Sequence, residues 1–404
     1  MKIALVAQHA TPLRPRAGSG PDSDDIGLSE LTRRLATHGH QVTLYAQKHQ
    51  PDLPEQAELH RGVRVQHINA GPVLAPGEQD DAGLLERVPA FSGPLRSSWY
   101  RDRPDVVHAL HWTSGLAALA AARDLGVPVV QEFSSLGVAE RRDRTDRGLV
   151  RADGAAAARI RLEPAIGRSA TAVVATHSAE ASDLARLGVH RSSISVIPWG
   201  VDTDAFTPEG PVAERNGRPR LLAVADLGER AALDTLLRAL TRVPGAELMV
   251  VGGPARDELP ADQAYASLAG FAGALGISDR VIFTGKVEHS AMPALLRSAD
   301  LVVSTCQYEP SGATSLRAMA CGTPVIAHGT AGHADAVVDG TTGILIAPGR
   351  PAQLAQRIRQ LLAHPMLIEA YGVAAADRAK SRYSWDRIAA ETLAVYDRAT
   401  AQAA

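Results

Sequence analysis

The stretch "DLVVSTCQYEPSGATSLRAMACGTPVIAH", Asp300–His328, decides how this chain folds. A short β-branched run leads into Glu309 and a Pro310-Ser311-Gly312 turn, a helical period starts near Ala313, and a second β-branched run, "TPVIAH", follows. Strand, turn, helix and strand in that order form the repeating unit of a parallel sheet covered by helices. Amides at a helix start attract anions, and Gly312 lets a phosphate approach the backbone closely.

The same alternation runs outward in both directions. It includes "KIALVAQ", "QVTLYA", "DVVHAL", "VPVVQ" and "TAVVAT" on the amino side, then "RLLAVAD", "AELMVVG" and "RVIFTG". Pro198, Gly200, Pro208, Gly210 and Pro211 interrupt the series within "VIPWGVDTDAFTPEGP", which is therefore the predicted linker. A chain of 404 residues exceeds one hydrophobic core, so two domains are expected, with ligands at the carboxyl ends of their strands. The Ala-rich "VRADGAAAARIRLEPAIGRSA" reads as a helix, and "SRYSWDRIAAETLAVYDRA" as a closing amphipathic helix.

A formal charge of -2 leaves no basic stripe for a nucleic acid backbone, so phosphate binding must be local. Lysine occurs only at Lys2, Lys48, Lys286 and Lys380, which makes any single Arg weak evidence. The apolar run in "MKIALVAQ" is too short for a signal-peptide core, and no run of about 18 apolar residues occurs. The expectation is a cytoplasmic protein without a membrane span. Cys306 and Cys321 form neither a disulfide framework nor a metal spacing with His, and buried thiols are predicted. There is no Walker loop, nucleophile elbow or zinc spacing.

Eight landmarks then carry a family resemblance: "LATHGHQVTLYA", "RPDVVHAL", "HWTSGLAALAAARDLGVPVVQ", "ISVIPWGVDTDAFTP", "RVIFTGKV", "YEPSGATSLRAMACGTPVIA", "VVDGTTGILIAP" and "RYSWDRIAAET". Over nearly its whole length the chain resembles the retaining GT-B glycosyltransferases of family 4, among them actinobacterial members similar to sucrose-phosphate synthase and the mycothiol-pathway glycosyltransferase. The resemblance implies an α/β fold of two Rossmann-like, doubly wound parallel-sheet domains facing across a cleft. It divides the chain into an acceptor-side domain at 1–200, a nucleotide-sugar domain at 201–380, and a final helix at 381–404 packing back toward the first. It implies a nucleoside diphosphate sugar as donor, a small-molecule acceptor, and no cofactor or metal, because helix amides and basic side chains neutralise the leaving diphosphate. The oligomeric state is left open.

By the same resemblance, the Ser311, Gly312, Ala313, Thr314 and Ser315 helix start would cradle the diphosphate, and Glu309 would orient the donor sugar. The chain also departs from the family. Arg317 stands where a second Glu contacts the ribose, Asp226 where an Arg binds diphosphate, and Ala231 where a Lys does. Two unit charges about 4 Å apart interact by roughly 4 kcal/mol at an effective dielectric of 20, and about 1.4 kcal/mol is a factor of ten in rate. Relocated cations are therefore expected, with Arg317, Arg230 and Lys286 as the candidates.

On the acceptor side Asp22 and Ser23 replace a Gly-Gly loop, Leu110 and Ser134 replace histidines, and Trp112 follows His111. His108 and His111 are the candidate bases, each also readable as a packed histidine. With fewer bases, a thiol or thione acceptor in antibiotic-type or thiol metabolism is one expectation and an oxygen acceptor another. The rival reading is an inactive GT-B scaffold serving as a binding or partner subunit.

Overall fold

Every run named above as a strand forms one. The computed structural model describes the chain apart from residues 11–12, 14–23, 72–80, 147–153, 229–230 and 404. The first eight strands are β1 Lys2–Val6, β2 Gln41–Gln47, β3 Gln56–His60, β4 Val63–Ile68, β5 Val106–Leu110, β6 Val129–Glu132, β7 Ala172–Ala175 and β8 Ile194–Val196. They make one sheet in the order β3-β4-β2-β1-β5-β6-β7-β8, parallel except for the β3–β4 pair. The remaining six are β9 Arg220–Val224, β10 Glu247–Val251, β11 Val281–Gly285, β12 Leu301–Ser304, β13 Val325–His328 and β14 Gly343–Ile346. They make an all-parallel sheet in the order β11-β10-β9-β12-β13-β14.

The chain divides into two compact units. One holds β1 and Asp24–Pro198 together with Ile388–Ala404, and the other holds Trp199–Arg387. In each, the strand order reverses once, between β1 and β5 in the first unit and between β9 and β12 in the second. Connections leaving such a pair diverge to opposite sides and open a crevice at the carboxyl ends, where doubly wound sheets bind ligands.

Strand alternation builds the cores. In the second sheet Leu221, Leu248, Val303 and Ile326 face the helices Leu233–Leu240 and Pro351–Leu362, while Leu222, Val251, Val302 and Val325 face Ala313–Ala320 and Pro365–Tyr383. Both faces are apolar because both are covered, which is why these strands read as continuous hydrophobic runs.

The predicted linker contains the boundary between the units, at Pro198–Trp199, and it is packed: the Val201 amide donates to Tyr383 O at 2.7 Å, Phe206 is 2% exposed, and a side chain at Gly200 would meet the Trp385 ring at 2.4 Å. Its prolines and glycines serve a close-fitting entry into the second unit. The antiparallel β3–β4 hairpin was not read from the sequence, although Val63 and Val65 alternate with Arg64 and Gln66 around a Gly62 turn with φ 85. Cys321 is buried and its thiol is pushed up to about 12 by burial, but Cys306 is only half-buried and donates to Tyr308 O at 3.3 Å. The Ala-rich helix spans Gly154–Ser169 and the closing helix Trp385–Ala403. Among the described residues, no helix is long and apolar enough to cross a membrane.

Candidate functional site

Four non-glycine residues have positive φ among the described residues, and each lies in a connection that leaves a strand's carboxyl end. His111 (φ 76) follows β5, Ser134 (φ 62) follows β6, Ala232 (φ 47) lies beyond β9, and Ala331 (φ 45) lies beyond β13. Backbone held in this region costs of order 1 kcal/mol or more per residue and collects at functional sites. The strain therefore points to the same ends of the sheets as the topology does.

In the second unit, β12 and β9 end at the strand-order reversal and bring Glu309 and Asp226 together. Glu309 is held by its own turn: Ser311 Oγ donates to Glu309 Oε1 at 2.5 Å, and the Ala313 amide donates to Ser311 Oγ at 3.2 Å. Burial raises the Glu309 carboxyl above its ordinary range, and the nearby Asp226 charge pushes the same way. Asp226 itself is exposed and accepts from the Gly228 amide at 3.3 Å. The turn is sealed from behind, since the Gly332 amide donates to Glu309 O at 3.0 Å and Thr330 Oγ1 to Gln307 O at 2.9 Å. Gly312 has φ 63, and a Cβ on Gly332 would lie 2.5 Å from Pro310 O, so both positions require glycine.

Arg317 lies on the helix Ala313–Ala320 with its guanidinium 5.5 Å over the Phe206 ring, a cation–π contact from the segment read as a linker. Burial lowers its pKa to about 10, leaving it charged at neutral pH. Thr314 and Ser315 are buried in the first helical turn. Lys286 is exposed just beyond β11, its amide bonded to Pro254 O at 2.8 Å. Ala231 is buried, and its carbonyl accepts from Thr305 Oγ1 at 2.7 Å. Arg230, Asp22 and Ser23 lie outside the described residues.

In the first unit, His111 caps the helix Trp112–Ala122 and is fixed by its amide donating to Glu132 O at 2.8 Å, with its Nδ1 3.1 Å from Thr113 Oγ1. Its ring lies 5.0 Å from that of His9. These two rings sit past the ends of β5 and β1, the pair at which the order reverses. Two sequence candidates are corrected here. His108 is 1% exposed, with Nδ1 2.8 Å from the Tyr396 hydroxyl and Nε2 3.5 Å from Glu132 Oε2. A ring enclosed in this way cannot take a proton from a bound acceptor. Trp112 is fully buried against Phe133, Leu136 and Ile166, so it packs the core and offers no face to a ligand.

Sequence reasoning missed His9, Glu132, Glu180, His328 and His333. Glu180 is buried, accepts from the Thr176 amide at 2.7 Å and from Thr176 Oγ1 at 2.8 Å, and is pushed up to about 7 by burial. Burial lowers both His328 and His333 to about 4. A signal existed for three of the five: His9 directly follows "KIALVAQ", Glu132 ends β6, and His328 ends "TPVIAH", all at strand termini.

Two doubly wound units define the fold, and the comparisons supply the class, a glycosyltransferase. The family model described as "Glycosyl transferase 4-like domain" matches residues 27–200, and "Glycosyl transferases group 1" matches residues 209–378. The chain belongs to this glycosyltransferase family and is an enzyme of that class. It is similar to D-inositol 3-phosphate glycosyltransferase 2 of Catenulispora acidiphila, with 31% identity over 98% of this chain and 95% of the relative. It is also similar to the solved sucrose-phosphate synthase of Thermosynechococcus elongatus, with a TM-score of 0.85, 26% identity and 99% of each chain covered. The HepE protein of Anabaena, solved in complex with UDP-glucose, shares the fold at a TM-score of 0.71 and 18% identity, over 98% of this chain and 99% of that one. Among the described residues, no group of three or more His, Cys, Asp or Glu side chains could hold a metal ion.

Proposed function

We propose that the protein transfers a glycosyl group from a nucleoside diphosphate sugar to a small-molecule acceptor, with retention at the anomeric carbon. The observation that carries this reading is the Glu309–Gly312 turn, which leads into the helix Ala313–Ala320 and is backed by the Gly332 amide. The diphosphate lies at the helix start, Glu309 orients the sugar, and Arg317 supplies the positive charge that Asp226 and Ala231 do not. The anomeric carbon–oxygen bond breaks, the nucleoside diphosphate leaves with the electron pair, and the new glycosidic bond forms on the same face. The acceptor's proton passes to the departing phosphate or to water.

Two observations favour a sulfur acceptor. Enclosure of His108 removes one candidate base, and Ser134 replaces another. A thiol with pKa near 8.5, or a thione, is already nucleophilic at neutral pH and needs little help from a base. Antibiotic-type or thiol metabolism is the setting for such acceptors. The His9–His111 pair is what an oxygen acceptor would use instead.

The test is calorimetry with UDP, GDP, ADP and dTDP, followed by mass spectrometry of reactions with paired thiol and hydroxyl acceptors. Binding of one nucleotide and a glycosylated product support the reading. Binding without turnover against any acceptor would mark an inactive scaffold, and transfer to hydroxyls alone would end the sulfur proposal.

A further inference from the structure

His333 is a histidine with no exposed surface, in the short helix Ala331–Ala336. Its two ring nitrogens are occupied on opposite sides: Nε2 lies 3.0 Å from Ser304 Oγ, the last residue of β12, and Nδ1 lies 2.8 Å from Ser315 Oγ, in the first turn of the helix Ala313–Ala320. The residue before it, Gly332, donates its amide to Glu309 O at 3.0 Å. One imidazole therefore joins the strand that delivers Glu309, the helix that starts beneath the turn, and the segment that seals it.

A leucine would fill the same apolar space with no polar group to satisfy. Burying an imidazole and two hydroxyls is worthwhile only if all three pair, and a fully satisfied buried network rigidifies the elements it spans. The ring is neutral here, so one nitrogen donates while the other accepts, which fixes the distances on both sides. Hydrophobic contact alone would leave the helix start free to slide by fractions of an ångström.

We propose that His333 is a positioning residue for the donor half of the reaction, holding the helix start at a set distance from Glu309. This rests on the reading of that turn as the donor diphosphate cradle. Because displacement of about 1 Å can lower a rate by roughly a hundredfold, loss of the bridge should appear in turnover more than in stability.

His333→Leu alone strands two buried hydroxyls and can unfold the turn, so the decisive protein is the triple variant Ser304→Ala, Ser315→Ala, His333→Leu, in which no polar group is orphaned. The readouts are melting temperature, nucleoside diphosphate affinity, kcat, and KM for donor and acceptor separately. The triple variant should melt within a few degrees of wild type, lose at least tenfold in kcat, weaken for the donor and keep its acceptor KM. His333→Gln, which retains one donor and one acceptor, should recover part of the loss seen in His333→Leu. A triple variant with kcat within twofold of wild type overturns the proposal, as does an acceptor KM that moves as far as the donor KM. If wild type itself binds no nucleoside diphosphate, the cradle reading fails and this inference fails with it.

Discussion

Behind the crevice of the first unit the buried titratable groups include acids, and behind that of the second they include imidazoles. Glu180 is buried beside Thr176, with Glu132 and Glu163 near enough to raise it further. His328 and His333 lie without exposed surface, both lowered chiefly by burial, with His333 also disfavouring a charge on His328. Burial disfavours the charged form in both places, which raises the carboxyl and lowers the imidazoles, so the two respond to pH in opposite directions. The construction of the strand ends is shared: a strand-order reversal, a helix start and strained residues in the connections that leave the strands. The two units thus hold buried groups shifted in opposite directions, Glu180 upward in one and His328 and His333 downward in the other.

The sharpest way to break this comparison is to titrate the units separately by hydrogen exchange. His328 and His333 fall from an ordinary 6.5 to about 4, so their contribution to stability is complete above pH 6.5 and is lost as pH falls toward 4. A shift of that size corresponds to about 3 kcal/mol per histidine. Glu180 rises from 4.5 to about 7, so its contribution is complete below pH 4.5 and is lost as pH rises toward 7. Between pH 4.5 and 6.5, protection in β12–β13 peptides should grow with pH while protection around β7 declines; Glu180→Gln should weaken only the second trend, the rest coming from buried Glu163, which is also pushed up to about 7. Parallel trends in both units would refute the contrast.

Next in size is Gly332→Ala, whose Cβ would meet Pro310 O at 2.5 Å and the Gly312 amide nitrogen at 2.6 Å. The Glu309 turn must shift, and kcat/KM should fall about a hundredfold. A steady-state assay showing less than a threefold loss would mean that the turn is not the donor cradle.

Charge reversal gives a smaller effect. Arg317→Gln should weaken nucleoside diphosphate binding about tenfold, and Asp226→Asn should strengthen it by several-fold, both read by calorimetry. An Arg317→Glu protein, which restores the residue expected from the family, should bind more weakly still. Equal affinities across the three would remove Arg317 from the site.

The smallest effect concerns strain. His111→Gly relieves a φ of 76 and should raise stability by up to about 1 kcal/mol while lowering turnover. A melting curve alongside the acceptor KM separates the two. Higher stability with unchanged kinetics would show that the His9–His111 pair is structural.

Much of the fold was legible because parallel strands covered on both faces must be apolar at every position, and ten such runs stand out between helical periods. The hairpin at β3–β4 was harder to see, since an edge strand that alternates Val63, Arg64, Val65 resembles a loop when read in isolation. The Glu309–Gly312 turn could be read because a turn between strand and helix restricts residue type locally. The two histidines could not be told apart in the sequence for the converse reason. His108 and His111 are three residues apart on one strand end, yet one is enclosed by Tyr396 from the far end of the chain and the other is held at positive φ beside His9.

The sequence by itself determined the two doubly wound units and the strand-turn-helix at Glu309–Gly312, since each depends on residue type and short-range spacing. Only the tertiary structure decided which charged groups meet. Asp226 faces Glu309 across 83 positions of sequence, Arg317 stacks on Phe206, and His333 joins Ser304 to Ser315. Such pairings depend on where strand ends are brought by the order of the sheet and on which groups are shut off from water. Neither quantity is encoded in local sequence, because both are set by the packing of the whole unit.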